Sequence, residues 1–233
     1  KLSGKVAIVT GGSRGIGKAV AILLAQNGAS VVITSKNKTS LENAAKEMKN
    51  AIAISGDIRS MTDVENVVKN TFETFGKVDI LVNNAGIFPK VKPLHEISEE
   101  EWNDVIDVNL TGQFRFTKAA IPYLMKTNGC IVNVSSDAGL KSFENFEADA
   151  YTASKGALVL LTKAWAVEYA KYKIRVNCVC PGIVETDMTR PYLGTESDRE
   201  MAIAEHPIGR IGLPEDVAKA ILYLVSDDSS WIT

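Results

Sequence analysis

Histidine and cysteine are scarce in this chain, with two and three residues respectively among 233. Cys130, Cys178 and Cys180 lie in apolar, β-like runs, which reads as buried small side chains and excludes a disulfide framework. Cys178 and Cys180 make a C-x-C pair, but no second cysteine or histidine cluster accompanies it, so no metal is expected. His95 and His206 each stand apart from any triad-like grouping and are read as non-catalytic. No stretch approaches the roughly 20 apolar residues of a membrane helix, and the N-terminus carries no signal-peptide core. There is no long basic run, and the formal net charge is −2, so the electrostatic footprint of a nucleic-acid binder is missing. Repeats and low-complexity segments are absent as well. The expectation is a cytoplasmic protein that handles a small molecule, with neither nucleic acid nor membrane as partner.

What is present is a steady alternation of two patterns. Short runs rich in β-branched residues at Val6–Thr10, Val31–Thr34, Ala51–Ser55, Ile80–Asn83, Ile131–Ser135 and Ile174–Cys180 read as strands, with helical periodicity between them. That order predicts an α/β fold of three layers, a doubly wound parallel sheet with helices on both faces, and ligands at the carboxyl ends of the strands. With 45% hydrophobic residues the chain can bury one substantial core, and a single domain over residues 1–233 is expected.

Two motifs fall at those strand ends. The first strand runs directly into G-G-S-R-G-I-G, Gly11 to Gly17, and then into a helical pattern closed by Gly28. In a strand–loop–helix of this kind Gly11 takes the sharp turn, Gly15 admits a pyrophosphate to the backbone, and Gly17 lets the helix pack close. The second motif, Y-T-A-S-K, sets Tyr151 and Lys155 about one helical turn apart on one face. A fixed cation beside a phenol favours the phenolate and makes tyrosine useful in proton transfer near neutral pH.

Taken together, T-G-x-x-x-G-x-G at Thr10–Gly17, N-N-A-G at Asn83–Gly86, Asn109, the pair Ser135 and Ser136, Tyr151 with Lys155, and Pro181-Gly182 resemble the short-chain dehydrogenase/reductase family over nearly the whole chain. The resemblance implies a Rossmann fold, a nicotinamide cofactor, and reversible hydride transfer between a carbonyl and an alcohol. It also implies roles. Tyr151 gives a proton to the carbonyl oxygen as the nicotinamide supplies hydride; Lys155 lowers the tyrosine pKa and bonds the nicotinamide ribose; Ser136, standing before D-A-G, holds the substrate oxygen while Ser135 points away. Asn109 orders a water that links Lys155 to solvent. Gly11, Ser13, Arg14, Gly15, Ile16 and Gly17 cradle the cofactor phosphates. Asp57 and Ile58 flank the adenine, although Asp57 could equally cap a helix, a task better suited to Ser60 or Thr62. Asn84, Ala85 and Gly86 run beside the cofactor ribose, and Pro181, Gly182, Ile183 and Thr186 match the P-G-x-x-x-T segment that holds the carboxamide.

Where NAD-preferring relatives end the second strand with an acid, this chain has Ser35 followed by Lys36, and Arg14 stands before Gly15. Two cations and no carboxylate at the ribose edge favour NADP(H) over NAD(H). Two substrate classes stay open, a 3-oxoacyl thioester and a sugar or polyol. Lys118, Lys126, Lys171 and Lys173 could form a basic docking patch near the mouth for an acidic carrier protein, whereas Glu144, Glu147 and Asp149, in a long 137–150 loop, could bond hydroxyls. A regulator that binds cofactor without turnover is the third reading. Residues 184–210 match the family's mobile lid. A homotetramer is implied, and Leu158, Leu161, Trp165 and Tyr169 offer apolar surface for it. The sequence stops at Ser230-Trp231-Ile232-Thr233, where the family adds a last strand, so that strand is expected to be missing.

Overall fold

Six short segments pair side by side and all in parallel: β1 (Val6–Thr10), β2 (Ser30–Thr34), β3 (Ala51–Ala53), β4 (Ile80–Asn83), β5 (Cys130–Val134) and β6 (Arg175–Val179), in the order β3-β2-β1-β4-β5-β6. The protein is seen in a computed structural model that describes residues 1–144 and 146–233. Each expected strand is found, shifted by a residue or two. The expected β3 is shortened: it was read through Ser55, but after Ala53 the chain turns toward Gly56, whose N–H bonds the Ser35 carbonyl.

Side chains alternate across the sheet, and each face is covered by helices. Ala7, Val9, Val31, Ile33, Ile80, Val82 and Val132 pack against α1 (Gly15–Gln26), α2 (Lys38–Lys46) and α8 (Pro214–Val225). Ile8, Val32, Leu81, Ile131 and Val176 pack against α3 (Met61–Phe75), α5 (Gly112–Leu124) and α6 (Asp149–Tyr169). The order 3-2-1-4-5-6 is that of a Rossmann fold, and it places the reversal of chain direction between β1 and β4.

Local chemistry sets the helix ends. Ser60 accepts from Asp63 N to cap α3, which closes in the left-handed Gly76. Gly28, at φ +97°, ends α1 as its position in the sequence suggested. Ser98 and Glu101 form a capping box that opens α4 (Glu99–Ile106), and a π-helical turn at Asp107–Thr111 joins α4 to α5 without a break. The remaining helix, α7 (Glu196–Ala204), lies in the segment before α8.

The apolar face assigned to assembly needs correction. Leu158 and Trp165 point inward and are buried, while the large apolar residues that α6 exposes are Leu160 and Val167, at 66% and 80%. The expected residues repeat at helical spacing because they face this chain's own core.

A polar ladder crosses the otherwise apolar interior. Asn83 Nδ2 donates to Asn133 Oδ1 (2.8 Å) and Thr117 Oγ1 (3.0 Å), and Asn133 Nδ2 donates to Thr162 Oγ1 (2.8 Å). It ties β4, β5, α5 and α6 into one register directly below the carboxyl ends of the strands. Because an unpaired buried polar group costs about 1–3 kcal/mol, Asn133→Ala should lower unfolding free energy by roughly that amount in urea titration. A loss well under 0.5 kcal/mol would show that the ladder contributes little.

Candidate active site

A cleft of about 770 Å³ opens at the carboxyl ends of the strands, lined by the glycine loop, the ends of β2, β4 and β5, and Tyr151 and Lys155 of α6. Its floor is the glycine loop. Gly11 and Gly15 have φ +64° and +54°, and a Cβ on Gly17 would sit 2.3 Å from the Gly11 carbonyl oxygen, so these glycines are required sterically. The N-terminus of α1 has no side-chain cap and no acid in its first turn, and Ser13, Arg14 and Ile16 line the cleft beside it. Free N–H groups at the positive end of a helix suit a phosphate.

Thr10, given no role of its own in the sequence reading, holds the two sides of the cleft together. Its Oγ1 accepts from both Asn84 N and Ala85 N at 2.9 Å, while Asn84 Nδ2 donates back to Thr10 O at 2.9 Å. Gln113 adds a bond to the Ala85 carbonyl. Asn84 is therefore a brace between the β1 and β4 loops as well as a cleft residue, and Ala85 and Gly86 line the same edge. A Cβ on Gly86 would stand 3.3 Å from Asn109 Oδ1 and 3.6 Å from Lys155 Nζ.

At the ribose edge the structure corrects one expectation. A carboxylate is present after all: Asp57 lies 3.1 Å from Lys36 and 3.3 Å from Arg59. Burial alone would raise its pKa, but hydrogen bonds from the Arg59 backbone and guanidinium and from Lys36 hold it down to about 2. Asp57 comes from the loop after β3, some 20 residues beyond Lys36, so the chain order hid the pairing. It does not cap α3; Ser60 does. Arg59 is also paired with Asp104 at 2.7 Å, so three cations, Arg14, Lys36 and Arg59, face two carboxylates there, and Arg14 is the cation for which no ion pair is found among the described residues. The Ser35 hydroxyl is buried and has no hydrogen-bond partner among the described residues, a polar atom in want of one. Ile58 fills the space opposite Gly112, where a Cβ would come within 2.5 Å of it. These features fit a dinucleotide.

The catalytic candidates converge at the other end. Ser136 follows β5; its Oγ is 3.1 Å from Asp137 Oδ1 and accepts from Ala138 N. Ser135 turns its hydroxyl to the Lys155 carbonyl, away from that position. Tyr151 is in the first turns of α6, and its phenol is pushed up by burial, with the Ser136 hydroxyl pulling it partly back and the Asp137 charge adding to the rise. Lys155 is 4% exposed, its Nζ donates to Val134 O at 2.9 Å, and burial draws it down to about 8. The expected lowering of the tyrosine by Lys155 is thus outweighed here, because the ammonium is aimed at a carbonyl, 5.6 Å from the ring centroid. Asn109 also takes a part beyond the expected one. Its side chain accepts from Ile87 N (2.8 Å), donates to Ile87 O (2.9 Å) and lies 3.4 Å from Ser154 Oγ, so it clamps the β4 loop, and an ordered water would have to use the second lone pair of its amide oxygen or its backbone carbonyl.

Around the tyrosine stands an aromatic wall. Phe88 packs edge-on at 4.9 Å from Tyr151 and 5.5 Å from Tyr192, and Phe146 lies 5.8 Å from Phe88. Like the Phe88, Phe146 and Tyr192 rings, Glu144, Glu147 and Asp149 are outside the lining of the main cleft; Glu147 and Asp149 border a smaller neighbouring cavity that Phe88 also lines. Lys126, Lys171 and Lys173 follow the ends of α5 and α6, and so lie at the amino ends of β5 and β6, opposite the mouth. The expected basic patch at the mouth is not built within one chain. Pro181, Gly182 and Ile183 follow β6, and Thr186 borders the cleft near Gly15. His206, read as a lone residue, accepts from Ile183 N at 3.0 Å.

Among the described residues no group of three or more His, Cys, Asp or Glu is arranged to hold a metal, and no helix is long and apolar enough to cross a membrane.

The family model described as "Enoyl-(Acyl carrier protein) reductase" matches residues 11–233. The 3-oxoacyl-[acyl-carrier-protein] reductase FabG of Thermotoga maritima is 42% identical over 100% of this chain and 95% of its own length. Dehydrogenase/reductase SDR family member 4 of Caenorhabditis elegans is 39% identical over 100% and 92%, and L-fucose dehydrogenase of Mus musculus is 36% identical over 97% and 84%. The crystal structure of 3-ketoacyl-(acyl-carrier-protein) reductase from Brucella melitensis complexed with NADH superposes with a TM-score of 0.94 at 36% identity, covering 100% of this chain and 95% of that one.

Burying Lys155 has a cost that can be measured. Its folded pKa of about 8 lies below the ordinary 10.5, so between those values the unfolded chain binds more protons and stability rises with pH. Below pH 8 the full penalty is present, up to about 3 kcal/mol. Lys155→Met should therefore be more stable than the wild type at pH 7, with the gap closing toward pH 10.5, as read by urea unfolding at several pH values; a gap independent of pH would contradict it.

Proposed function

The chain belongs to the short-chain dehydrogenase/reductase family and is an NAD(P)-dependent oxidoreductase, and from that premise we propose that it reduces 3-oxoacyl thioesters with NADPH. The observation that carries the substrate class is the aromatic wall of Phe88, Phe146 and Tyr192 beside Tyr151, which favours an apolar acyl group. The names of the Thermotoga maritima and Brucella melitensis relatives agree. Sugar or polyol oxidation, the activity class named for the Mus musculus relative, would draw on the acidic loop, whose Glu147 and Asp149 border a cavity with Phe88 and, unlike the aromatic rings, make no contact with Tyr151 among the described residues that would set a substrate beside it. A regulator without turnover has no need of Ser136, Tyr151 and Lys155 held together.

When bound, the nicotinamide supplies or accepts the hydride. The chain's own residues do the rest. Ser136 Oγ donates to the carbonyl oxygen and stabilises the charge that develops on it. Tyr151 gives that oxygen its phenolic proton. Burial keeps the phenol protonated at neutral pH, which is the starting state for reduction, whereas oxidation must begin from the phenolate. Lys155, fixed by Val134 O, orients the sugar beside the tyrosine. Arg14 and Lys36 meet a 2′-phosphate, with Asp57 shared between Lys36 and Arg59 and so unable to repel it fully.

Initial rates followed by nicotinamide absorbance test both choices. A 3-oxoacyl thioester with NADPH should turn over faster than an aldose panel with NADP⁺, and each should exceed its NADH or NAD⁺ counterpart. Aldose oxidation as the faster arm would overturn the substrate class. Arg14→Ala with Lys36→Ala should raise KM for NADPH about tenfold or more and leave KM for NADH nearly unchanged. Tyr151→Phe should abolish turnover while cofactor still binds, and oxidation by the wild type should quicken as pH rises toward the phenol's pKa.

Assembly is part of the same proposal. The exposed Leu160 and Val167 of α6 and Phe114 of α5 suit contact with a second copy on the way to a tetramer. Sedimentation at the monomer mass alone would reject it.

A further inference from the structure

The segment after β6 is gripped from three sides at one residue. The Ile183 side chain packs with Leu193, Ala202 and Ile211, a small core separate from the two that flank the sheet. Its carbonyl accepts from Gly212 N at 2.8 Å. Its N–H donates to His206 Nε2 at 3.0 Å. A neighbouring ion pair, Arg199 to Glu185 at 2.7 Å, ties α7 to the same stretch. The lid is therefore built directly upon the Pro181–Thr186 turn.

Of these ties only the histidine contact depends on protonation of a ring. His206 Nδ1 is 2.7 Å from Ala202 O, a pure acceptor, so Nδ1 carries the proton and Nε2 offers a lone pair to Ile183. The ring lies so close to Gly182 that a Cβ there would be 2.5 Å from Nε2. Gly182 has no left-handed φ to explain it; the space is needed for the imidazole. A second proton would turn Nε2 into a donor facing the Ile183 N–H, and the contact would be lost.

We propose that neutral His206 is a positioning residue, a latch that holds the Pro181–Thr186 turn against the lid and thereby sets affinity for the nicotinamide end of the cofactor. The proposal rests on the reading above that this turn holds that end. The charged or titratable groups around the latch are Asp137, whose Oδ2 is 3.6 Å from the same Gly182 position, Glu205 next in the chain, and the Arg199–Glu185 pair. Cys180 is also close in sequence, its thiol drawn down to about 7 chiefly by a hydrogen bond from Cys178, so it loses its proton inside the pH range of the test below.

The test uses the whole protein and NADH, which lacks the 2′-phosphate that itself titrates at about pH 6, bound from about pH 5 to 8 and followed by cofactor fluorescence, in the wild type, His206→Ala and His206→Gln. Glutamine can accept from Ile183 N but does not titrate. Amide exchange at Ile183 is followed alongside. Wild-type affinity should weaken about five- to tenfold on the acid side, as the loss of one hydrogen bond implies. His206→Ala should be weak and flat with pH, and His206→Gln should be near wild type at neutral pH and flat. A pH slope that survives in His206→Gln belongs to Cys180 and overturns the proposal, as does an alanine variant that binds as tightly as the wild type or tighter. Unchanged exchange protection at Ile183 in His206→Ala sinks the latch itself. Lost protection with unchanged affinity sinks instead the reading that this turn holds the cofactor, and the proposal with it.

Discussion

Everything in the site hangs on the brace between Thr10 and Asn84. The sheet order sends the chain in opposite directions after β1 and β4, so the loops that leave these neighbouring strands diverge and open a crevice. A crevice alone has no fixed width. Two backbone N–H groups bonded to the Thr10 hydroxyl, and the Asn84 amide bonded back to the Thr10 carbonyl, fix it from within. The near contact of Gly17 with the Gly11 carbonyl then sets α1 against this brace, and the uncapped N-terminus of α1 is aligned with the strand ends where Ser136, Tyr151 and Lys155 gather.

From that base the reacting groups are placed by burial, and burial works against their charge. Lys155 is enclosed, bonded to one carbonyl, and held at about 8; the Tyr151 phenol is held above its ordinary range. A protein selected only for stability would put an apolar residue at position 155. The polar ladder through Asn83, Asn133 and Thr162 and the clamp of Asn109 on Ile87 serve the same end from beneath, fixing α6 and the β4 loop so that Ser136 and Tyr151 stay in register. The π-helical turn that carries Asn109 is what lets its side chain reach across to Ile87 while α4 and α5 run on as one rod.

The rim is assembled from separate stretches of chain. Phe88 follows β4, Phe146 precedes α6, and Tyr192 lies between β6 and α7; they meet only because three loops leave the same edge of the sheet. The ribose edge is likewise composite, with Arg14, Lys36, Asp57 and Arg59 drawn from three loops.

Much of this was legible in the sequence, and the reason is locality. Strand and helix periods, the Ser60 cap and the glycine positions each depend on residues within a few positions of one another, so pattern alone determined the parallel sheet and the glycine cradle, whereas the grouping of Ser136 with Tyr151 and Lys155 was expected only from the family resemblance. Tertiary structure decided what depends on distant partners. Lys36 gained a carboxylate from the loop after β3, three of the four lysines went to the amino ends of the strands, Asn109 was bonded to Ile87, and His206 accepted from the Ile183 N–H. A side chain's partner across the fold leaves no period in the sequence, because the spacing between the two is set by loop lengths and strand order rather than by the geometry of either element.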